Sequence, residues 1–203
     1  MKCSHCGFEM PDTAKFCGNC GSQLVVPQLA NTLPQRAIWF HADAPFRFIL
    51  NNANGTYWNI PAGDSYTDLD DSRNWEIQFC ENAFRFEDGQ NLRAIEFKNV
   101  PVECVRFCKT FAGCSNIHEL NLKSFEVRGA VSVDSMFEGC TSLFRLDISG
   151  WEFQNLKSCK HMFDGCENLF EVVACGCDAR TVDIISKALT MAGLQNQTVI
   201  YCL

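Results

Sequence analysis

One motif recurs in the second half of the chain at a fixed interval, and that interval limits the available architectures more than any other feature. Phe111-Ala-Gly-Cys114-Ser-Asn-Ile117-His-Glu-Leu120-Asn-Leu122 is followed by Phe137-Glu-Gly-Cys140-Thr-Ser-Leu143-Phe-Arg-Leu146-Asp-Ile148, then by Phe163-Asp-Gly-Cys166-Glu-Asn-Leu169-Phe-Glu-Val172-Val-Ala174. The phenylalanines and cysteines return every 26 residues, and a weaker copy, Phe86-Glu-Asp-Gly89-Gln-Asn-Leu92-Arg-Ala-Ile95-Glu-Phe97, precedes them at 25. A period of about 20 to 29 residues containing Leu-x-x-Leu-x-Leu predicts stacked rungs, each supplying one short strand and one irregular or helical return. A single rung cannot bury its apolar side, whereas stacked rungs bury a continuous ladder.

Columns follow from the period. Leu92, Ile117, Leu143 and Leu169 are expected to point inward, each large side chain contributing about 1.5 to 3 kcal/mol on burial. Strand alternation sends the intervening residues outward: Ala94, Glu119, Arg145 and Glu171; Glu96, Asn121, Asp147 and Val173; Lys98, Lys123, Ser149 and Cys175. Glu119, Arg145 and Glu171 alternate in sign and are expected to support register. The predicted partner-binding face comprises Glu96, Glu119, Asn121, Lys123, Arg145, Asp147 and Glu171.

These rungs resemble the BspA-type leucine-rich repeat family, whose signature is Met-Phe-x-Gly-Cys, a Leu-x-x-Leu-x-Leu strand, then Trp. Met136-Phe137-Glu-Gly-Cys140, Met162-Phe163-Asp-Gly-Cys166 and Leu146-Asp-Ile148-Ser-Gly-Trp151 carry the resemblance, which covers residues 83 to 177. Thr110 replaces the Met in one rung, Gly89 the Cys in another, and Val172-Val-Ala174 the last Leu-x-Leu. The resemblance implies a recognition solenoid, often displayed on cell surfaces.

Cys114, Cys140 and Cys166 occupy one position per rung and should stack about 5 Å apart. A metal ladder competes with a column of small buried apolar side chains, and the second is favoured because buried free cysteine behaves as a hydrophobe. Cys175 and Cys177 are a further pair open to redox or metal chemistry.

At the N-terminus Cys3-Ser-His-Cys6-Gly7 and Cys17-Gly-Asn-Cys20-Gly21 repeat a two-thiolate turn. Four sulfurs at this spacing close a tetrahedron around one Zn²⁺ and leave no position for water, so a structural ion is expected, with ligands Cys3, Cys6, Cys17 and Cys20. His5 is an alternative ligand, and disulfides are the alternative for the module. About 24 residues are too few for a core, while structural zinc supplies about 10 to 16 kcal/mol of apparent binding free energy. The segment resembles the short zinc ribbons at the N-termini of many bacterial proteins.

Residues 25 to 36, with Pro27 and Pro34 and no periodicity, are expected to be a flexible linker. Residues 37 to 82 follow as a β-rich N-terminal cap with strands Ala37-Ile-Trp-Phe40, Phe46-Arg-Phe-Ile-Leu50, Tyr57-Trp-Asn-Ile60 and Trp75-Glu-Ile-Gln-Phe79. Asp64, Asp68, Asp70 and Asp71 fall in a predicted loop, where a calcium site is conceivable although EF-hand spacing is missing. Residues 178 to 203 are expected to close the stack: a helix capped by Asp178 or Thr181, with Val182, Ile185, Leu189 and Ala192 inward and Gly193 ending it, then a strand Val199-Ile-Tyr-Cys202. The expected fold is therefore a small zinc ribbon plus an α/β, β-rich leucine-rich-repeat-like solenoid with a helix-strand cap.

A formal charge of -7 opposes sequence-independent nucleic-acid binding. With no basic segment leading into an apolar run and no stretch of about 18 to 20 apolar residues, a cytoplasmic protein with reduced thiols is expected. His5, His41, His118 and His161 are scattered, and no nucleophile with its base, phosphate loop or open metal site stands out, so the expected function is non-catalytic protein interaction or scaffolding. A nucleic-acid-associated factor working through the zinc module and a surface adhesin are the alternatives.

Overall fold

The chain divides into two units, Met1–Gln35 and Arg36–Leu203. A computed structural model describes residues 37–50, 57–68 and 80–202, all within the second unit. Cys3, Cys6, Cys17, Cys20, the linker, Asp70, Asp71 and the predicted strand from Trp75 lie outside the described residues.

Two antiparallel sheets precede the repeats. β1 (Ala37–Ala42) lies between β4 (Gly63–Asp68) and β7 (Leu92–Lys98), and β2 (Phe46–Leu50) between β3 (Tyr57–Ile60) and β6 (Phe84–Glu87). β2 and β3 have the predicted bounds, while β1 runs two residues further, through His41 and Ala42. Asp64 and Asp68 belong to β4 rather than a loop: His41 and Asp64 face each other in register, with His41 Nδ1 2.6 Å from Asp64 Oδ1. The carboxylate of Asp64 thus faces an imidazole in a ladder position, and the described half of the calcium cluster does not form a loop. Among the described residues no group of three or more His, Cys, Asp or Glu side chains is placed to hold a metal.

From Phe111 onward, successive segments return to the same registers. Arg145 of β11 (Arg145–Asp147) lies opposite Glu119 of β9 (Glu119–Asn121) on one side and Glu171 of β12 (Glu171–Val173) on the other, all parallel. β13 (Val199–Tyr201) extends the same sheet, Val199 opposite Glu171, so the predicted closing strand adds a further rung. A second parallel ladder runs from β5 (Cys80–Asn82) through β8 (Val102–Arg106), with β10 (Phe125–Glu126) on the far side of β8, and continues by bridges from Arg106 to Ser132 to Ser158.

Packing follows the sequence columns. Leu92, Ile117, Leu143 and Leu169 are fully buried. The Phe111 and Phe137 rings stack at 5.8 Å with an interplanar angle of 10°, and Phe137 and Phe163 at 5.6 Å and 9°. Phe84 links this stack to the first sheets, 5.2 Å from Phe48 and 5.7 Å from Phe111, so one core runs from β1 into the repeats. Thr110, in the Met position, is fully buried and satisfied: its Oγ1 donates to the Phe107 carbonyl at 2.9 Å.

The first rung departs from the predicted columns. β7 is hydrogen-bonded antiparallel to β1, Glu96 opposite Trp39, and is not a strand of the β13-β12-β11-β9 sheet. Its 25-residue offset and its adjacent aromatic-rich cap together account for this: β1 satisfies the β7 backbone from the side of the cap. Glu96, exposed on β7, is therefore not in hydrogen-bonded register with Glu119, Arg145 and Glu171.

Left-handed backbone accounts for the three repeated loop glycines, and close packing adds to it at Gly165. Gly113, Gly139 and Gly165 have φ of +75°, +75° and +76°, and a Cβ on Gly165 would sit 3.3 Å from the Gly139 Cα. Gly89 stands in a Cys position because a Cβ there would meet Cys114 Sγ at 3.0 Å.

The end of the chain matches its signals closely. α1 (Ala179–Met191) is capped by Asp178, whose Oδ1 accepts from the Thr181 N–H at 2.8 Å, and Thr181, Ile185, Ala188 and Leu189 form its buried stripe. Gly193 follows at φ +78°.

Candidate interaction surface

The strand segments β9, β11 and β12 bring most of the predicted face together, but their side chains divide into two groups. Arg145 Nη1 donates to Glu171 Oε1. It makes no ion pair with Glu119, so the expected three-residue charge ladder is one pair plus one carboxylate; among the described residues no cation lies within ion-pair distance of Glu119.

Asp147 differs from the outward position predicted for it. It is buried, with Oδ2 2.9 Å from Lys123 Nζ and Oδ1 accepting from the Ser149 hydroxyl at 2.6 Å and the Ser149 N–H at 3.1 Å. Burial pushes its carboxyl up, but the Ser149 hydroxyl, the Lys123 ammonium and the Ser149 amide outweigh that and hold it below the ordinary range. Its partners close the turn after β11. Asn121 does similar work one rung earlier, accepting from the Lys123 N–H at 3.3 Å. Asp147 and Lys123 thus fix backbone, while Glu119 and the Arg145–Glu171 pair face outward.

A column absent from the predicted face lies immediately before these strands. His118, Phe144 and Phe170 occupy equivalent positions: Phe144 N–H donates to His118 O at 2.8 Å, and Phe170 N–H to Phe144 O at 3.0 Å. The two phenyl rings stack at 5.5 Å and 9°, yet each is 48% exposed. His118, Glu119, Ser142, Phe144 and Asn168 line an open groove of about 390 Å³. The sequence carries a signal for it: phenylalanine follows the inward leucine in two consecutive rungs, Leu143-Phe144 and Leu169-Phe170, at a solvent-facing position.

The cysteine column is a hydrogen-bonded apolar ladder. Cys140 Sγ donates to Phe111 O and Cys166 Sγ to Phe137 O, each at 3.1 Å. Burial pushes the Cys114 and Cys166 thiols up to about 12 and raises Cys140 well above its ordinary value. Neutral thiols at physiological pH, with Cys140 and Cys166 each donating to the carbonyl of the preceding rung, suit packing. Cys177, partly buried, repeats the pattern with Ile148 O at 3.2 Å, matching Trp151 Nε1, which donates to Leu122 O at 2.9 Å one rung earlier. Cys175 is partly exposed. His161 Nδ1 lies 2.7 Å from Asp164 Oδ2 on the surface.

A family model described as "Mycoplasma protein of unknown function, DUF285" matches residues 71–198, more than half of the chain. The chain belongs to the DUF285 family. Its matched span covers every parallel rung described above except β13, which begins at Val199. A zinc-ribbon domain model matches residues 2–24, the segment that carries Cys3, Cys6, Cys17 and Cys20. No match was found among curated proteins or among solved structures. Among the described residues no helix is long and apolar enough to cross a membrane.

Proposed function

We propose that this DUF285 protein is a non-catalytic interaction scaffold: residues 83–177 form a BspA-type leucine-rich-repeat solenoid that presents a protein-binding surface, and residues 1–24 form a Cys₄ zinc ribbon. The observation that carries the proposal is the parallel register of β9, β11 and β12 at 26-residue spacing, extended by β13, which aligns Glu119, Arg145, Glu171 and Val199 in one row across the sheet. Stacked repeats present extended binding surfaces of this kind. The zinc assignment rests on the chemistry of the donor set, four thiolates in two Cys-x-x-Cys turns, together with the zinc-ribbon match. Cys3, Cys6, Cys17 and Cys20 would hold one structural ion, and residues 25–36 would tether that module to the β-rich cap at 37–82, with 178–203 closing the far end. A cytoplasmic location and a protein partner complete the proposal.

The test is affinity capture from the native host with the full chain and an Arg145→Glu variant, since Arg145 is partly exposed and removable without the burial that complicates Asp147. A protein partner recovered by the native chain and lost on charge reversal supports the proposal. A salt-sensitive gel shift by the full chain, or reproducible substrate turnover, contradicts it.

A further inference from the structure

We infer that the His118–Phe144–Phe170 column and its groove dock an extended cationic polypeptide segment that carries an aromatic or long aliphatic anchor; this rests on the interaction-scaffold proposal and adds to it a site and a ligand chemistry. The core does not require these phenyl rings. Leu143 and Leu169, their immediate neighbours, are fully buried, whereas Phe144 and Phe170 each leave about half their surface in water. The equivalent position one rung earlier holds the polar His118, so the rung pattern alone gives no reason for two phenylalanines in succession.

Their presentation is also rigid. The His118 carbonyl accepts from the N–H groups of both Phe144 and Arg145, at 2.8 and 3.1 Å, and the Phe144 carbonyl accepts from those of Phe170 and Glu171, both at 3.0 Å. Neighbouring backbones are thus locked at the bases of the rings. A partner would find an apolar surface already ordered, which lowers the entropic cost of binding. The column spans two ring spacings, roughly three to four residues of extended polypeptide at about 3.3 Å per residue.

Charge selects among occupants. Arg145 is engaged by Glu171, and Glu119, which lines the groove, faces outward with no cation at ion-pair distance among the described residues. The free carboxylate beside exposed rings calls for Lys or Arg next to an apolar anchor. Phosphate backbones would be repelled by Glu119. A second copy of the chain, at formal charge -7, would oppose like charge across the contact. His118 Nδ1, 3.2 Å from the Ser142 carbonyl, holds its ring at the groove's edge.

The experiment selects a phage-displayed random dodecapeptide library on the full-length zinc-loaded protein, then measures synthetic copies of enriched peptides by fluorescence anisotropy. The expected result is enrichment of peptides that pair Phe, Trp, Tyr or Leu with Lys or Arg, with affinity falling about tenfold or more for Glu119→Lys and for the Phe144→Gln/Phe170→Gln double variant. Lys187→Glu on α1 should leave affinity unchanged. Far-UV melting of each variant separates lost binding from lost folding, and the exposed Glu119 variant keeps the test open should the double variant unfold. Enriched peptides that bind native and Glu119→Lys proteins alike overturn the assigned site while leaving an interaction scaffold standing. Enrichment of acidic peptides, or none above that on the double variant, also overturns it. Failure of the scaffold proposal itself would show separately, as turnover or nucleic-acid binding in the capture experiment above.

Discussion

Gly113, Gly139 and Gly165 offer a graded perturbation in which chemistry and backbone angle are constant and only the neighbour along the stack changes. All three sit near φ +75°, so replacing any of them by alanine incurs the left-handed penalty of about 1 to 2 kcal/mol. A new Cβ on Gly113 meets nothing within 4 Å, and one on Gly139 reaches Gly113 Cα at 3.7 Å, an ordinary contact. On Gly165 it would lie 3.3 Å from Gly139 Cα and 3.4 Å from Gly139 N, backbone atoms that cannot rotate aside. That rung must separate by a few tenths of an ångström, adding about 1 kcal/mol or more, at the low end of overpacking costs. Gly113→Ala and Gly139→Ala should therefore destabilise similarly, and Gly165→Ala should exceed both by about 1 kcal/mol, or roughly 2 to 4 °C in Tm for a domain of this size. Urea denaturation monitored by circular dichroism, comparing midpoints at constant m-value, provides the measurement. Equal losses at all three positions would refute the contact between successive glycine turns.

The remaining predictions concern protonation, the tryptophan ladder and zinc. Because burial raises the thiol pKa values of Cys114, Cys140 and Cys166, the folded state retains protons that the unfolded chain releases; stability should be complete below about pH 9 and fall as pH rises toward 12. Asp134 acts in the opposite sense: burial raises its pKa, but bonds from the Ser158 hydroxyl, the Lys160 amide and the Ser132 hydroxyl, together with the Lys160 charge, lower it overall. Asp134 and Asp147 should thus stabilise the fold above about pH 4 and lose that contribution on further acidification, as read from urea midpoints between pH 2.5 and 6. Trp151→Phe removes the donor to Leu122 O and leaves a void at a buried site, an expected loss of about 2 to 4 kcal/mol by urea unfolding; a loss under about 1 kcal/mol would contradict the bond's role. The purified full chain should release one zinc per molecule to a colorimetric chelator after thiol modification, and Cys17→Ser should sharply reduce that yield; zinc retained at full stoichiometry by the variant would contradict the ligand set.

What the chain's letters disclose is largely what the period controls. Residues at intervals of 26 share an environment, so the burial of Ile117, Leu143 and Leu169 and the opposition of Glu119, Arg145 and Glu171 follow from the period alone. The helix was equally readable, since Asp178 and Gly193 mark its ends by local chemistry. Features that depend on a second, distant segment were not. β7 carries a rung-like pattern but pairs with β1, because the competing partner lies about 50 residues upstream and leaves no periodic trace. Strand alternation placed Asp147 outward, but the Ser149 and Lys123 partners that cover it follow from turn geometry. Phe144 and Phe170 had a visible signal, a repeated aromatic at an outward position, yet a 26-residue period is carried by the recurring inward columns and not by such departures.

The central claim is that successive 26-residue units lie directly on one another, in register. Nuclear Overhauser spectroscopy on full-length protein with isotopically labelled phenylalanine rings tests it most directly. The stack predicts ring-to-ring contacts for Phe111–Phe137, Phe137–Phe163 and Phe144–Phe170, whose centroids lie 5.5 to 5.8 Å apart, and none between Phe111 and Phe163. Absence of the three neighbouring contacts in folded protein, or a direct Phe111–Phe163 contact, would contradict the register on which the proposed surface depends.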